Sequence, residues 1–431
     1  MGVTCFVTTL LTLILYLGEK GTVTWSPGII IIVAAVLRCL FLFRPPELSD
    51  DIFRYLWDGM QLLNGHNPYT SAPADVQPIT EEAARLLQKI NHPDIVTIYP
   101  PMAQLVFSVG AFFGKGLFGI KALLVIMDIV TCVLLLRLLK ILEMPPSRAA
   151  LYAWHPLPVL EIAASGHIDG AGILFFVMVL ILLTAQIIKH HGIVLSIKQN
   201  LKSAAHRHAE GIISVSAGIV FSGASLVKLF PLLYLPGCLL LVRCRALFIL
   251  GLLTGGLFLM IPFYPDLLNI RGTFYTYLTS WEFSSFAYRS LQKITSSGEI
   301  ARWLLALIFL VVFSFLTVQL WMKRGTFKDE REKIISVLQY FYFISLTFLM
   351  FTPTLYPWYV LCLAWLLPFS AGPAGLVLSW AVFISYWVLI PYTFLGQWVE
   401  NDMVPLMIFL SPISAFLIAS IVKHLRQNHF I

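Results

Sequence analysis

Long apolar stretches recur along almost the whole chain, separated by short polar segments. Most of them run for about 15 to 22 residues with few charges, a length that crosses the hydrocarbon core of a membrane as a helix. The pattern predicts an all-α, polytopic transmembrane helix bundle of about 12–14 spans. The run 101–117 is shorter and interrupted by glycine. We place candidate spans near 3–17, 28–43, 119–141, 149–164, 170–188, 211–226, 229–243, 246–263, 301–322, 334–351, 356–370, 373–390 and 405–423.

The composition also indicates an integral, multi-pass membrane protein. The chain is 58% hydrophobic and only 12% charged, whereas soluble domains carry about 25% charged residues. A net charge of +7 is what basic cytoplasmic loops produce, so no nucleic-acid partner is expected. The six cysteines lie in or beside apolar runs and form no CxxC pair, which favours buried, inert thiols. The first apolar run is expected to be a retained helix, since it lacks a charged start and a cleavage site.

Lys and Arg predict the orientation, because they concentrate in cytoplasmic loops. They cluster at 137–148, 189–207, 243–245, 323–333 and 423–426. The segments 44–100, 264–300, 352–356 and 391–404 are then expected to face outward. Successive spans then alternate between the two sides of the membrane only if 101–117 does not fully cross it and the N-terminus faces out. We expect residues 1–431 to form a single integral membrane domain.

The first outer loop, 44–100, carries eight acidic and four basic side chains. Within it, Asp51–Asn64 has the period of an amphipathic helix, and Glu81–Ile90 forms a second short amphipathic stretch. Such helices suit the membrane interface. The apolar side of the first helix comprises Ile52, Phe53, Leu56, Met60 and Leu63, and its polar side comprises Asp51, Arg54, Tyr55 and Asp58.

Asp50 and Asp51 are adjacent carboxylates that follow directly on a predicted helix exit. A carboxylate at this depth can act as a general base at the membrane surface. The alternative is a structural function, in which Ser49 or Asp50 caps the helix that follows.

Three ionisable residues fall at membrane depth, where charges are costly and usually face a cavity or a partner: Asp128, Glu161 and Lys228. We expect Asp128 to pair with a neighbouring helix. Lys228 can bind a phosphate as a point charge or extend to the interface. In EIAASGHIDG, Glu161, His167 and Asp169 can bind a divalent metal or orient a sugar by hydrogen bonds, and a capped turn is the alternative.

Aromatic–proline clusters also fall in the segments predicted to face outward. They are NPY at 67–69, IYPP at 98–101 and PTLYPWY at 353–359. Tyr356, Trp358 and Tyr359 can belong to an interfacial aromatic belt or can stack against a sugar.

Taken in order, these segments resemble the GT-C superfamily of polytopic glycosyltransferases, and within it the bacterial polyprenol-phosphate-mannose-type mannosyltransferases. The resemblance extends from about Leu48 to about Phe369. It is carried by SDDIFRYLWDG, NPY, IYPP, YAWHPLPVLEIAASGHIDG, LVKLFPLLYLP and PTLYPWYVL.

The resemblance implies transfer of a hexosyl, most often mannosyl, residue from a polyprenyl-phosphate donor to a lipid- or glycan-linked acceptor. The reaction would occur at the outer face of the bacterial inner (plasma) membrane. Asp51 best matches the family's catalytic base, with Asp50 as its rival. No metal ligand set and no certain cofactor are implied, and a divalent cation is left open. Candidates for binding the donor phosphate or sugar are Lys228, Arg54, Arg271, Arg289, His167, Asp169, Glu161, Tyr356, Trp358 and Tyr359.

A transporter or lipid flippase is the main rival, since it would also have many helices and intramembrane charges. A scaffold for other membrane enzymes is a second rival. The acids concentrate in an outer loop and the chain shows no paired repeats, which favours the enzyme. Turnover of a sugar donor would separate the enzyme from both rivals.

Overall fold

The computed structural model describes residues 24–78, 80–114, 116–196, 204–370 and 372–428. Among these residues the regular structure is helical, apart from an isolated parallel bridge between Phe283 and Thr354. The all-α, polytopic fold class is therefore confirmed. The first predicted span, 3–17, lies outside the described residues.

The main helices are numbered here in chain order. They are α1 (Pro27–Leu42), α2 (Asp51–Leu63), α3 (Glu81–Leu87), α4 (Pro101–Phe113), α5 (Leu117–Ile141), α6 (Asp169–Ser196), α7 (Ala204–Val227), α8 (Arg245–Met260), α9 (Ile270–Ser280), α10 (Phe286–Thr295), α11 (Gly298–Met322), α12 (Glu330–Phe351), α13 (Pro373–Ala381) and α14 (Met403–Asn428).

Fewer helices than expected are long and apolar enough to cross a membrane. The described residues contain seven, and an eighth is counted if a bent pair, Pro156–Ala164 with Asp169–Thr184, forms one span. The two halves of that pair meet at 118°. Pro27–Leu42, Pro101–Phe113 and Phe230–Leu241 are apolar but shorter. The seven are Leu117–Ile141, His208–Val227, Arg245–Phe263, Gly298–Gly325, Glu330–Phe351, Pro373–Leu395 and Met403–Leu425.

Proline explains why three of the apolar runs do not form single spans. The runs 149–164, 229–243 and 356–370 consist of short 3-10, α and π turns. Each contains proline in its interior, for example Pro156, Pro231 and Pro357. Proline removes a backbone donor and clashes with the preceding turn, and a hydropathy pattern does not register either effect.

Contacts divide the chain into two compact units. The first comprises Met1–Tyr275 with Leu320–Val337, and the second comprises Thr276–Gln319 with Leu338–Ile431. In the first unit, α7 packs against α6 and α8, while α2 packs on α4 and α4 on α5. In the second, α14 packs against α13 and α10.

A buried ion pair joins α1 and α5 in the first unit. Arg38 Nε donates to Asp128 Oδ2 at 2.6 Å, and the Tyr152 hydroxyl donates to Asp128 Oδ1 at 2.5 Å. This confirms that Asp128 pairs with a neighbouring helix. The cation of this pair, Arg38, is the one charged residue in the apolar run GIIIIVAAVLRCLFLF. The sequence therefore also indicated that Arg38 needs a partner. A buried charge is tolerated when it is paired and hydrogen-bonded.

Candidate active site

Helix α2 begins at the adjacent carboxylates. The Ser49 Oγ accepts a hydrogen bond from the backbone amide of Asp51 at 3.3 Å, whereas Asp50 makes no side-chain capping hydrogen bond. The Ser49 hydroxyl therefore satisfies the first amide of α2, and Asp50 occupies the N-cap position without a side-chain cap. Capping does not account for the two carboxylates, and their positions need another explanation.

One amide group bridges the two carboxylates. Asn91 Nδ2 donates to Asp50 Oδ1 and to Asp51 Oδ1, each at 2.9 Å. Burial and the neighbouring charge of Asp51 raise the pKa of the Asp50 carboxyl above its ordinary value. The Asn91 amide offsets part of the repulsion because it donates to both groups.

Tyr99 faces the other oxygen of Asp51. Its hydroxyl donates to Asp51 Oδ2 across 3.4 Å, and its ring packs edge-on against Tyr55, with the centroids 4.9 Å apart. Burial, and then the charge of Asp51, raise the pKa of Tyr99 well above its ordinary value. The hydroxyl therefore keeps its proton and can only donate to the carboxylate. Asp51 itself keeps 19% of its side chain exposed, so a ligand can reach it.

The polar side of α2 faces the protein interior. Arg54, Tyr55 and Asp58 are buried. On the predicted apolar side, Ile52 and Leu56 are buried as well, whereas Leu63 is exposed. Arg54 Nε donates to Asp58 Oδ1 at 2.8 Å and Arg54 Nη1 donates to the Ile95 carbonyl at 3.0 Å. Arg54 therefore supports the packing of α2, while its Nη2 is buried and has no hydrogen-bond partner among the described residues.

A glycine turn brings His167 next to the start of α2. Gly166 has a φ of +78° between the π-helical turn Val159–Ala164 and α6. A Cβ at this position would collide with the Ile52 side chain, one residue beyond Asp51. Glycine thus allows the positive φ and the close approach together.

His167 lies between two carboxylates in this turn. Its Nδ1 is 3.8 Å from Asp51 Oδ2 and its Nε2 is 3.6 Å from Glu161 Oε2. Both distances exceed hydrogen-bond length. His167 and Glu161 are fully buried, so the arrangement suits positioning of Asp51 better than direct contact with a sugar.

Lys228 and Asp169 form an ion pair between α6 and the end of α7. The Lys228 Nζ lies 2.8 Å from Asp169 Oδ1 and 2.7 Å from Oδ2. The lysine side chain is 26% exposed, whereas Asp169 is almost fully buried. The buried carboxylate therefore anchors a cation that can still reach a ligand at the surface.

The two other candidate cations, Arg271 and Arg289, have different surroundings. Arg271 lies exposed on α9 in the first unit. Arg289 belongs to the second unit, where its guanidinium forms an ion pair with Glu400 at 2.7 Å and donates to Asp402 at 2.9 Å.

The predicted aromatic residues pack mainly against one another within the second unit. The rings of Tyr356 and Trp358 stack with centroids 4.4 Å apart, and Phe283 stacks on Tyr356 at 4.5 Å. The Tyr359 and Tyr277 hydroxyls are hydrogen-bonded at 2.7 Å. These faces are thus largely occupied by neighbouring rings.

Sequence reasoning missed Asn91 and the function of Tyr99. Asn91 stands in an ordinary loop with no motif around it, so nothing in the sequence indicated its contact with Asp50 and Asp51. Tyr99 was within the aromatic–proline cluster IYPP, but its partner lies 48 residues away in sequence. Within the described residues, no group of three or more His, Cys, Asp and Glu side chains could hold a metal ion.

Comparison with known proteins identifies one family. A family model described as alpha-(1->6)-mannopyranosyltransferase, N-terminal domain, matches residues 1–243 of the 431-residue chain. The comparisons with curated proteins and with solved structures find no match.

Proposed function

The chain belongs to the alpha-(1->6)-mannopyranosyltransferase family, and we propose that it transfers a mannosyl residue from a polyprenyl-phosphate donor with Asp51 as the general base. It is an integral membrane mannosyltransferase of the GT-C type, with a sugar donor and a glycan acceptor as substrates. The finer proposal adds an alpha-(1->6) linkage, a lipid- or glycan-linked acceptor, and a site at the outer face of the bacterial inner membrane.

The position of Asp51 carries the proposal. Its carboxylate is partly exposed, and Asn91 and Tyr99 fix its orientation by donating to different oxygens. The acceptor hydroxyl oxygen would attack the anomeric carbon of the donor while Asp51 removes the hydroxyl proton. The bond from that carbon to the phosphate oxygen breaks, and its electron pair leaves with the lipid phosphate.

Lys228 would stabilise the departing phosphate. The charge of that group increases as the glycosidic bond breaks, and a fixed cation favours such a transition state. Asp169 holds the ammonium group with both carboxylate oxygens, which limits its motion. The same pair keeps a buried carboxylate charge-compensated before the donor arrives.

His167 and Glu161 act as positioning residues in this proposal. Their burial excludes them from the sugar, but His167 lies directly behind Asp51. The imidazole would limit the rotation of the Asp51 carboxylate, and Glu161 would in turn fix the imidazole.

Donor turnover tests the proposal. Purified full-length protein would be incubated with polyprenyl-phosphate mannose, polyprenyl-phosphate glucose and GDP-mannose, together with an oligomannoside acceptor. We expect mass spectrometry to show released polyprenyl phosphate and an extended acceptor with the first donor only. Extension from GDP-mannose would refute the lipid-linked donor. Extension of the acceptor with none of the three donors would refute the transferase mechanism.

A further inference from the structure

A surface of the second unit combines exposed aromatic rings with charged side chains. We call it the Trp398 patch, and it comprises Ser284, Arg289, Tyr392, Trp398, Glu400 and Asp402. These residues lie beyond residue 243, where the family match ends. They come from the segments 264–300 and 391–404, both of which are predicted to face outward.

The aromatic part of the patch is open on one side and supported on the other. Trp398 and Tyr392 are 49% and 50% exposed, and their ring centroids are 5.8 Å apart. Phe283 packs behind Trp398 at 5.6 Å and itself stacks on Tyr356. The indole is therefore fixed by a row of rings while part of its surface remains available.

The charged part of the patch makes burial in lipid unfavourable. Arg289 forms an ion pair with Glu400 Oε2 at 2.7 Å, and its Nη1 donates to Asp402 Oδ1 at 2.9 Å. The Glu400 carboxylate also accepts from the backbone amide of Ser284 at 3.0 Å. Charges of this density are costly in a hydrocarbon environment. The neighbouring rings therefore face water or the headgroup layer, where a polar ligand can approach them.

Ser284 supplies a second observation that points to a ligand. Its side chain is buried, and within the described part of the chain its Oγ has no hydrogen-bond partner. The hydroxyl lines a cavity of about 10 Å³, the size of a single water, together with Phe283, Trp387 and Glu400. Ser284 also has a φ of +50°, which is uncommon for a residue other than glycine. A buried hydroxyl without a partner is unfavourable unless a bound group completes it.

We propose that the Trp398 patch binds a pyranose unit of the acceptor glycan. The apolar C–H face of the sugar would pack on the exposed part of Trp398, beside Tyr392. Its hydroxyls would exchange hydrogen bonds with Arg289, Glu400 and Asp402, and one hydroxyl or its water would reach Ser284 Oγ. Identification of the sugar as the acceptor rests on the proposed function, whereas recognition of a pyranose rests on the patch itself.

Glycan binding by the full-length protein tests the patch without any donor. Isothermal titration calorimetry would use an alpha-(1->6)-linked mannotriose and the protein in lipid nanodiscs. We expect Trp398→Leu to weaken binding by about tenfold or more, since a central aromatic side chain often dominates a binding site. Trp303→Leu is the matched control, because Trp303 is 71% exposed on α11 of the same unit. It should bind like the wild type.

Ser284→Ala is the second variant, and it separates binding from folding. We expect mannotriose affinity to fall by about three- to tenfold, from loss of one hydrogen bond. The unfolding temperature should stay unchanged or rise, because the variant removes a buried hydroxyl that lacks a partner. Equal affinity in the wild type, Trp398→Leu and Ser284→Ala would overturn the patch, and so would absence of binding by the wild type.

Failure of the patch and failure of the proposed function give different results. If mannosyl transfer to a single-sugar acceptor persists while the variants bind mannotriose equally, only the patch is wrong. If the wild type binds mannotriose through Trp398 but uses no mannosyl donor, the patch stands as a glycan site and the transferase proposal fails. If Trp398 and Trp303 only anchor the protein at the membrane interface, both tryptophan variants should change the unfolding temperature and leave the mannotriose affinity unchanged.

Discussion

At the scale of single residues, Asp50 and Asp51 are chemically alike but differently placed. Asp51 begins α2 and contacts Asn91, Tyr99 and His167, whereas Asp50 shares only the Asn91 amide among these partners. The additional contacts restrict the orientation of Asp51 alone. A base must be oriented as well as ionised, so Asp51 is the better candidate.

Asp51→Asn should lower the mannosyl transfer rate by about a hundred- to ten-thousand-fold, the usual contribution of general-base catalysis. The amide keeps the shape of the side chain but cannot take the proton, so donor binding should survive. Single-turnover transfer and donor affinity would be measured together. Asp50→Asn should lose far less activity. If Asp50→Asn were inactive while Asp51→Asn remained active, Asp50 would be the general base.

Asp50 should also affect stability in a pH-dependent way. Its folded-state pKa is raised by burial and by Asp51, so its ionised form disfavours the folded state. Asp50→Asn should therefore raise the unfolding temperature at neutral pH. The difference should vanish as the pH falls below about 4, where the carboxyl is protonated in the folded and unfolded states alike. Thermal unfolding in detergent at several pH values checks this, and a difference that persists in acid would contradict it.

Lys228→Met should lower the transfer rate by about a hundred- to a thousand-fold, because the departing phosphate loses a fixed cation. The variant also leaves the Asp169 carboxylate buried without this partner, which destabilises the fold. The double variant Lys228→Met/Asp169→Asn removes both charges and serves as the control. It should recover the unfolding temperature but not the transfer rate. Recovery of activity in the double variant would show that Lys228 is purely structural.

At the scale of elements, the orientation of α2 depends on two glycines. A Cβ at Gly59 would lie 2.5 Å from the Phe107 carbonyl oxygen of α4, and one at Gly166 would collide with Ile52. The close contacts at its two ends fix both the rotation of α2 and its distance from the turn that contains His167. Two residues without side chains, Gly59 and Gly166, therefore help to position Asp51, together with the hydrogen bonds that it forms.

Gly166→Ala should therefore reduce activity while leaving the bundle helical. The substitution introduces a strained positive φ and a clash with Ile52, and overpacking of this kind costs about 1–3 kcal/mol. Gly28→Ala is the control, because nothing lies within 4 Å of a Cβ there. Transfer rate and unfolding temperature would be measured for both. Full activity in Gly166→Ala would show that this turn does not position Asp51.

The sequence predicted the existence of α2 and α3 better than their environment. Periodicity located α2 within a residue of its observed end at Leu63, but the buried Arg54–Asp58 pair shows that its polar side faces inward. A period of 3.6 residues shows that a helix has a polar and an apolar side. It does not show whether the polar side meets solvent or packs against other polar groups of the protein. Asn91 and Asp51 meet through tertiary packing across 40 residues, which no local pattern encodes.

At the scale of the whole molecule, hydropathy identified the class correctly and marked more apolar runs than the described residues form as long helices. The described residues have seven long apolar helices, or eight with the bent pair. Exposed apolar side chains such as Leu253 and Phe258 on α8, and Leu310 and Phe315 on α11, form surfaces suited to lipid. The remaining apolar runs are broken at prolines, where short turns provide room for polar residues such as Glu161 and His167.

The predicted orientation can be tested with single cysteines in a background lacking the six native ones. Ser71→Cys in the first outer loop should react with an impermeant thiol reagent in intact cells. Thr326→Cys, within the basic cluster 323–333, should react only after permeabilisation, since basic segments remain cytoplasmic. Both positions are exposed. The same labelling pattern at both would contradict the orientation.

The bridging amide of Asn91 is also a point at which chemical damage would disturb the proposed catalytic centre. Hydrolysis of that amide converts a group that donates to both carboxylates into a carboxylate that can only accept. Three negative charges would then meet at the start of α2, where Asp50 and Asp51 already repel each other. Hydrolysis of this one loop amide would thus disturb the proposed catalytic centre directly.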